Sequence, residues 1–506
     1  MSIPTTSRAD LVGRIEELAR DHPDTVAFAV AAPDGALESL TYAQLLATSR
    51  RFRDHLRRLG TGPETLIVLD LDNDPLYLSY LFGTWMHGGS VLPISTTLPV
   101  ADKQALLGLV KDAIGPTLVL DAAAGAQLRE TLLAGGGASA GAPPTRPPST
   151  GDERSAPYLY LTSGGSTGLP KVVSYTFRGV GRSSSPHATG VPEPGGVDGT
   201  RLVCGDLYST GKLTLALHVV LTGCRVITMR DFAVDTVTAV LREHTVYSLC
   251  LSPFHMGRIL VHPDLETSVY RRLDRVSHGG TQCPQWVKRG WIGLVGAKRV
   301  HEVYSSSEVG GSARPIMCDG QEWLRRPGTV GRGQGIRILD EQGKDVAPGT
   351  IGEVFVAQSS GPANYYVGSS ELRVAADDPT YVSVADLGWL DEDGYLFIAD
   401  RLSEALRIDG QTVYPSMLEE VIGEHPLVAD VAVVGVVDAG GRLLLHAVVE
   451  PVSHAAGRLD GNTVLDHCRQ RLDEARVPRT VQFTERLPRT REGKMRRSVV
   501  REIAAG

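Results

Sequence analysis

Residues Tyr158 to Lys171 read Tyr-Leu-Tyr-Leu-Thr-Ser-Gly-Gly-Ser-Thr-Gly-Leu-Pro-Lys. An apolar strand enters a loop holding Ser163, Gly164, Gly165, Ser166, Thr167 and Gly168, and the loop closes on Lys171. Glycines let backbone N–H groups approach phosphate oxygens, the hydroxyls donate further hydrogen bonds, and the lysine adds charge. The chemistry this spacing serves is the holding of a polyphosphate. It is not the Gly-x4-Gly-Lys-Ser/Thr pattern, because Leu169 and Pro170 separate the last glycine from the lysine. Only eight of the 51 basic residues are lysines, and beyond residue 400 Lys494 stands alone. Arginine is the default cation, so a lysine placed inside a glycine-rich loop points to chemistry more than to solvation.

The chain of 506 residues is long enough for two or more domains. Apolar residues make up 42% and charged residues 22%, as in an ordinary globular protein. The net charge of -7 gives no basic surplus for nucleic acid. No apolar run approaches the roughly 18 residues of a membrane span. Met1 to Asp10 is polar and lacks a signal-peptide core, and the six scattered cysteines form no CxxC pair. Together these imply a cytoplasmic protein with reduced thiols.

The elements around the loop alternate. Arg8 to His22 has helical periodicity, and Thr25 to Ala31 reads as a strand. A helix runs to Arg58 with Thr41 as its N-cap. Leu66 to Leu71 and Thr117 to Leu120 are strands, with a mostly apolar helix at Leu76 to Met86. Strands separated by helices predict βαβ units and a parallel sheet. Ala134 to Ala156 carries Gly135-Gly136-Gly137 and two Pro-Pro pairs and reads as a flexible loop. The α/β rhythm resumes from Pro157 to about Val276. Short strands with glycine turns between Gly328 and Val382 predict an antiparallel sheet or small barrel. Residues 401 to 506 read as a separate α+β unit, with a helix at Tyr414 to Glu424, strands at Val428 to Val437 and Leu443 to Val449, and a helix at Val464 to Ala475.

Four further segments stand in order behind the loop. They are Tyr304-Ser-Ser-Ser-Glu308, Asp386-Leu-Gly-Trp-Leu-Asp-Glu-Asp-Gly394, Asp400-Arg401 and Leu487-Pro-Arg-Thr-Arg-Glu-Gly-Lys494. Singly, Asp386 reads as a turn aspartate, Glu308 as a helix N-terminal acid and Arg401 as a surface cation. Jointly, in this order and spacing, the five segments resemble the signature of the adenylate-forming superfamily. That superfamily contains acyl- and aryl-CoA synthetases, peptide-synthetase adenylation domains and firefly luciferase. The likeness covers the whole chain. It implies a large α/β N-terminal domain with a small β-barrel-like part, residues 1–400, and a smaller mobile α+β C-terminal domain, residues 401–506.

The resemblance also implies a reaction and its residues. A carboxylate attacks the α-phosphate of ATP, giving an acyl-adenylate and pyrophosphate, and a nucleophile then displaces AMP. Two anions must meet, so the site needs cations and donors aimed at the transition state. By resemblance Lys494 supplies charge at the carboxylate and α-phosphate. Ser166, Thr167 and Lys171 hold the outer phosphates, and Ser307 contacts the α-phosphate. Glu308 ligates Mg²⁺, which prefers oxygen. Tyr304 packs on the adenine, and Asp386 accepts from the ribose hydroxyls with Arg401 nearby. His278, Gly279 and Gly280 sit at the strand beside the acyl pocket. His278 lines it or is a packed strand-end histidine.

Three departures bear on the acceptor. Ser403 replaces the aspartate or lysine usual two residues after the hinge arginine, so domain rotation is expected to be altered or absent. Asp409-Gly410 puts an acid where CoA ligases leave room for the pantetheine arm. Tyr208 takes the position of a pocket-entrance histidine, with Asp206 two residues earlier. An alkylamine, pKa about 10.4, must lose a proton before it attacks, whereas a thiol near 8.5 is partly ionised without help. A carboxylate such as Asp206 could take that proton; the bland alternative is a turn aspartate after Gly205. The chain is thus also similar to stand-alone amide bond synthetases. The expected function is activation of a carboxylic acid, flat and aromatic, and its transfer to an amine. The alternatives are CoA thioester formation, loading of a carrier-protein thiol, and a non-catalytic binding protein. The joint presence of Lys494, Glu308 and Asp386 opposes the last.

Overall fold

The computed structural model describes residues 7–133, 157–162, 170–176, 199–307, 309, 315–358, 367–368, 372–452 and 458–505. Residues Ala134 to Ala156, Ser163 to Gly168 of the glycine-rich segment, and Glu308 lie outside them.

Local signals hold where they are strongest. Thr41 caps the helix Tyr42–Arg58 through a reciprocal box with Gln44. Leu45, Phe52 and Leu56 line that helix's buried face at helical spacing. The Tyr42 hydroxyl donates to the carbonyls of Val220 and Cys224, at 2.7 and 3.0 Å, tying this helix to the end of helix Thr210–Leu221. Strand Leu66–Asp70 is buried throughout, as expected of a parallel strand covered on both faces. The helix expected at Val464 to Ala475 instead spans Gly461–Arg469. Asp460 starts it by accepting from the Thr463 N–H, and Gln470 ends it.

The largest sheet has eight strands, in the order Ile316–Asp319, Val300–Tyr304, Arg275–Gly279, Ser248–Leu251, Arg201–Val203, Val226–Met229, Val26–Ala31 and Leu37–Thr41. Its interior pairs are parallel and its two outer pairs antiparallel. A second sheet orders Thr117–Asp121, Leu66–Asp70, Ser90–Pro93, Pro157–Thr162 and Val172–Thr176. The third is antiparallel, with strands Thr329–Arg332, Tyr395–Arg401, Tyr381–Leu390, Gly352–Ala357 and Ile336–Leu339 in that order. Among the described residues it is an open sheet whose end strands are not paired, not a closed barrel. These three sheets make the large N-terminal domain.

The smaller C-terminal domain holds hairpin Leu406–Ile408/Gln411–Val413 and the sheet Val428–Val437, Leu443–Pro451, Thr480–Phe483. Asp409 and Gly410 both have positive φ, 49° and 80°, and make the two-residue turn that a right-twisted hairpin prefers. No described helix is long and apolar enough to cross a membrane.

The parallel strands of the large sheet end where the motifs begin. Gly280 follows one strand, Ser305 to Ser307 another, Gly205 to Tyr208 a third and Ser252 a fourth. In an open α/β sheet, ligands bind outside these carboxyl ends.

Candidate active site

A cavity of about 1800 Å³ opens there, between the two domains. On one side of it the Tyr304 hydroxyl donates to Asp386 Oδ2 at 2.6 Å, and Arg401 Nε meets Asp386 Oδ1 at 3.0 Å. Arg401 faces Asp386 directly across the strand pair. The ladder slips by a bulge just before Asp386, and Ala385 sits there at φ 58°, a conformation costly for a residue with a Cβ. That strained residue aims Asp386 into the cavity, so the carboxylate sits 5% exposed between its two donors. The Tyr175 hydroxyl donates to the Ser307 carbonyl at 2.8 Å, and Ser307 Oγ lies 3.1 Å from Thr210 Oγ1. The strand leaving the glycine-rich loop is thereby tied to the Ser307 turn. Lys171, at the start of that strand, is exposed.

Lys494 reaches the cavity from the other domain on a tight turn. The Gly493 N–H donates to the Thr490 carbonyl and the Thr490 N–H to the Lys494 carbonyl, both at 2.8 Å. The Lys494 N–H donates to Thr490 Oγ1 at 3.1 Å. Arg489 braces the turn by gripping Asp430 with two bonds of 2.6 Å and the Gly493 carbonyl with one of 2.7 Å. The tip, Arg491 and Glu492, plugs into the large domain. Arg491 bonds Asp72 and Asp231, and its carbonyl accepts from His255 Nε2 at 3.0 Å. Glu492 accepts from the Asp206 N–H. Gly493 has φ 83°, and a Cβ on it would lie 2.3 Å from Phe254 Cβ, so only glycine lets the turn seat this deeply.

Another wall of the cavity is built by helix Thr210–Leu221 and the strands facing it. Tyr208, Lys212, Cys250, Ser277, Gly279 and Gly280 border the cavity. Gly279 permits a close strand approach, since a Cβ there would sit 2.3 Å from the Val303 carbonyl. Lys212 Nζ donates to Cys250 Sγ at 3.4 Å. Burial works against the Lys212 charge, yet Cys250 and the Glu492 carboxylate hold it above its usual range. Glu492 also borders the cavity, 6% exposed, and burial pushes its carboxyl up.

Asp206 is not among the residues that border the cavity. It lies one layer behind, with Oδ1 3.9 Å from Arg491 Nη1. Burial, reinforced by the Glu492 carboxylate and opposed by Arg491, pushes Asp206 up to about 7. Of these two acids it is Glu492 that borders the cavity, and the Asp206 N–H holds its carboxylate. His278 borders the cavity but gives its Nε2 to Lys288, at 2.8 Å. Lys288 is fully buried and also bonds Glu302 at 2.8 Å. Burial and Lys288 push the His278 imidazole well below its usual range, so it is neutral.

Two of the three departures change meaning in three dimensions. Asp409 lies away from the cavity and is paired with Arg442 at 2.6 Å, so its charge does not stand beside an acceptor channel in this arrangement. Ser403 is exposed, but its neighbour Glu404 is buried and paired with Arg497 and Arg501, so the turn after Arg401 is fastened to the C-terminal domain. Asp400 adds to this by accepting from the Ser416 N–H at 2.8 Å and from its hydroxyl at 3.0 Å.

Residue patterns missed Asn73, Arg491, Glu492 and Lys212. Asn73 pins the Gly205 to Leu207 loop by donating to the Gly205 carbonyl and accepting from the Leu207 N–H, both at 2.9 Å. Lys212 carried a usable signal as one of the rare lysines, and Glu492 sat inside the Lys494 motif. Asn73 carried none.

The raised carboxyl of Asp206 has a stability consequence. It titrates near 7 folded and near 3.9 unfolded. Between those values the folded state keeps a proton that the unfolded chain has lost, so this group's contribution falls as pH rises from about 4 to about 7 and is level above. Asp206→Asn has no such proton. Its Tm relative to the wild type should therefore climb between pH 5 and pH 7.5. A difference constant over that range would show an ordinary carboxylate.

Residues 15–366 match the AMP-binding enzyme family, and residues 417–494 match the AMP-binding enzyme C-terminal domain. The chain is 25% identical over 487 residues to the fatty acid–acyl-carrier-protein ligase ScoC of Streptomyces coeruleorubidus, covering 92% of this chain and 91% of that one. It is 26% identical over 498 residues to an indoleacetate–CoA ligase of Aromatoleum aromaticum, covering 92% and 93%. In fold it is similar to the amide bond synthetase McbA of Marinactinospora thermotolerans, with a TM-score of 0.76 at 22% identity over 98% of this chain and 100% of that one. The chain belongs to the AMP-binding enzyme family, and it is an AMP-forming carboxylate ligase.

Proposed function

We propose that this ligase activates an aromatic carboxylic acid as its adenylate and passes the acyl group to an amine, forming an amide. The observation that carries the amine reading is the pair of buried carboxylates, Asp206 and Glu492, beside Lys494. Such a pair opposes an anionic acceptor and suits a cation that must lose a proton. Near 7, Asp206 is matched to proton transfer at neutral pH.

In the first step Lys494 meets the charge that develops between carboxylate and α-phosphate. Asp386, set by Tyr304 and Arg401, takes the ribose. Ser163 to Gly168 with Lys171 hold the outer phosphates, and Ser307 the inner one. Mg²⁺ accompanies the nucleotide, and Glu308 is the oxygen ligand proposed for it. The nucleotide's phosphates would supply further oxygen ligands beside it. In the second step Glu492 receives the ammonium's proton, with Asp206 behind it sharing the titration. CoA enters only under the alternative of thioester formation. The reading places the enzyme in the cytoplasm, with small molecules as its partners.

A product assay tests it. Purified enzyme is given ATP, an aryl acid such as benzoate or its ring-substituted relatives, and either CoA or an alkylamine, with products read by mass. Enzyme-dependent amide is the expected result. Ready formation of the CoA thioester, with no enzyme-dependent amide, would establish thioester ligation instead.

A further inference from the structure

Among the described residues two lysines are buried, Lys288 and Lys212. Lys288 is matched to strong acceptors, the Glu302 carboxylate and His278 Nε2, both at 2.8 Å. Lys212 is not. Its Nζ donates to Cys250 Sγ at 3.4 Å, and Cys250 is its only hydrogen-bond partner among the described residues. A lysine carries three donors and a thiol is a weak acceptor, so most of this ammonium's bonding is unspent. Glu492 favours the Lys212 charge without an ion pair, and its own carboxylate bonds the Asp206 N–H. An ammonium 7% exposed and so thinly bonded opposes folding unless a ligand completes it.

The surroundings say which ligand would do so. Lys212 and Cys250 both border the cavity. Ser277 pairs in register with Cys250, so its side chain takes the same face of the sheet, and it borders the cavity as well. His278, the next residue, turns to Lys288 on the opposite face. Lys212 lies in the first turn of helix Thr210–Leu221, and Ser209, Thr210 and Gly211 bring that end of the helix to the cavity. No acidic residue stands in this first turn, so the positive end of the helix adds to the lysine. A cation, a hydroxyl and a positive helix end on one wall suit an oxygen anion.

We propose that Lys212, with Ser277 beside it, recognises a second, anionic oxygen group on the acid substrate. The inference rests on the adenylate-forming reading of the cavity. One carboxylate of the substrate meets Lys494, becomes bonded to the α-phosphorus and releases pyrophosphate. The other group stays ionised against Lys212 and takes no part in the bond changes. Lys212 thus selects the acid and does not activate it.

The experiment measures ATP–pyrophosphate exchange with wild type, Lys212→Met and Lys212→Gln. The acids are benzoate, its three hydroxy isomers, the three benzenedicarboxylates, and adipate against hexanoate. In the wild type at least one dicarboxylate should exceed its monoacid in kcat/KM by about tenfold or more, the scale of one hydrogen bond to a charged group. In Lys212→Met that ratio should fall toward one or invert. Lys212→Gln keeps a donor without the charge. It should retain a preference for the hydroxy acid at the same ring position and lose the extra preference for the carboxylate. A wild type that prefers every monoacid, or variants that lower all acids alike, overturns the proposal. Without ligand, Lys212→Met should melt at or above the wild type, because an apolar chain of similar size commonly replaces a buried charge at no loss. A Tm lower by many degrees would show the ammonium already satisfied within the protein and would also overturn it. Binding is read separately, without ATP. A dicarboxylate of the panel at millimolar concentration should raise the Tm of the wild type and not that of Lys212→Met. Exchange with no acid at all while this shift persists would refute the adenylate-forming reading and leave the subsite standing. Exchange without dicarboxylate preference would do the reverse.

Discussion

Lys494→Ala should form acyl-adenylate about a hundredfold or more slowly than the wild type while remaining folded. Losing one positioned donor to transition-state charge costs on the order of 3 kcal/mol. The structure supplies the reason for the positioning. The Lys494 turn is closed by its own backbone bonds, braced by Arg489 on Asp430 and seated through Arg491 and Glu492. Those contacts run through the turn's backbone and through Arg489, Arg491 and Glu492, so the turn should stay seated when the lysine side chain is truncated. Adenylate formation is read by pyrophosphate exchange. Amide formation from a supplied acyl-adenylate should suffer less, because that step no longer joins two anions. Near-wild-type exchange in the variant would remove Lys494 from the mechanism.

Asp206→Asn should keep most adenylate formation and slow amide formation about 10²-fold, the low end of the scale of a general base, because Asp206 shares the titration of Glu492, the group that takes the proton. The substitution keeps the backbone N–H that holds Glu492 and removes only the carboxylate that titrates near 7. The defect should shrink at high pH, where more of the amine is already neutral. Anilines, with their low pKa, should be less affected than alkylamines for the same reason. Glu492→Gln is the comparison, because Glu492 and not Asp206 borders the cavity. If Glu492→Gln loses amide formation and Asp206→Asn does not, Glu492 alone takes the proton and Asp206 serves the loop. If both variants make amide at the normal rate, neither carboxylate is the base.

The contribution of Glu492 shows where residue patterns stop. The motif around Lys494 was legible because its glycine, lysine and flanking arginines are neighbours in sequence. What Glu492 does there depends on Asp206, 286 residues away. His278 is a similar case. Its position at a strand end before two glycines was readable, but its burial and Lys288, which make it neutral, come from packing against a different helix. Asp409 went the other way. An acid beside a proposed channel turned out to be a hairpin turn residue paired with Arg442.

By itself the sequence determined the order of the motifs, the two-domain α/β organisation and local features such as the Thr41 cap, and it singled out the glycine-rich loop proposed to hold phosphate. These follow from backbone freedom, side-chain periodicity and hydrogen bonds spanning a few residues, all of which are written in adjacent letters. Only the tertiary structure decided which carboxylate borders the cavity, how the Lys494 turn is seated and that Lys212, Cys250 and Ser277 share one wall. Those relations depend on strand register and on one domain docking against another. A one-residue shift in register would turn Ser277 to the opposite face, and nothing local to Ser277 specifies that register.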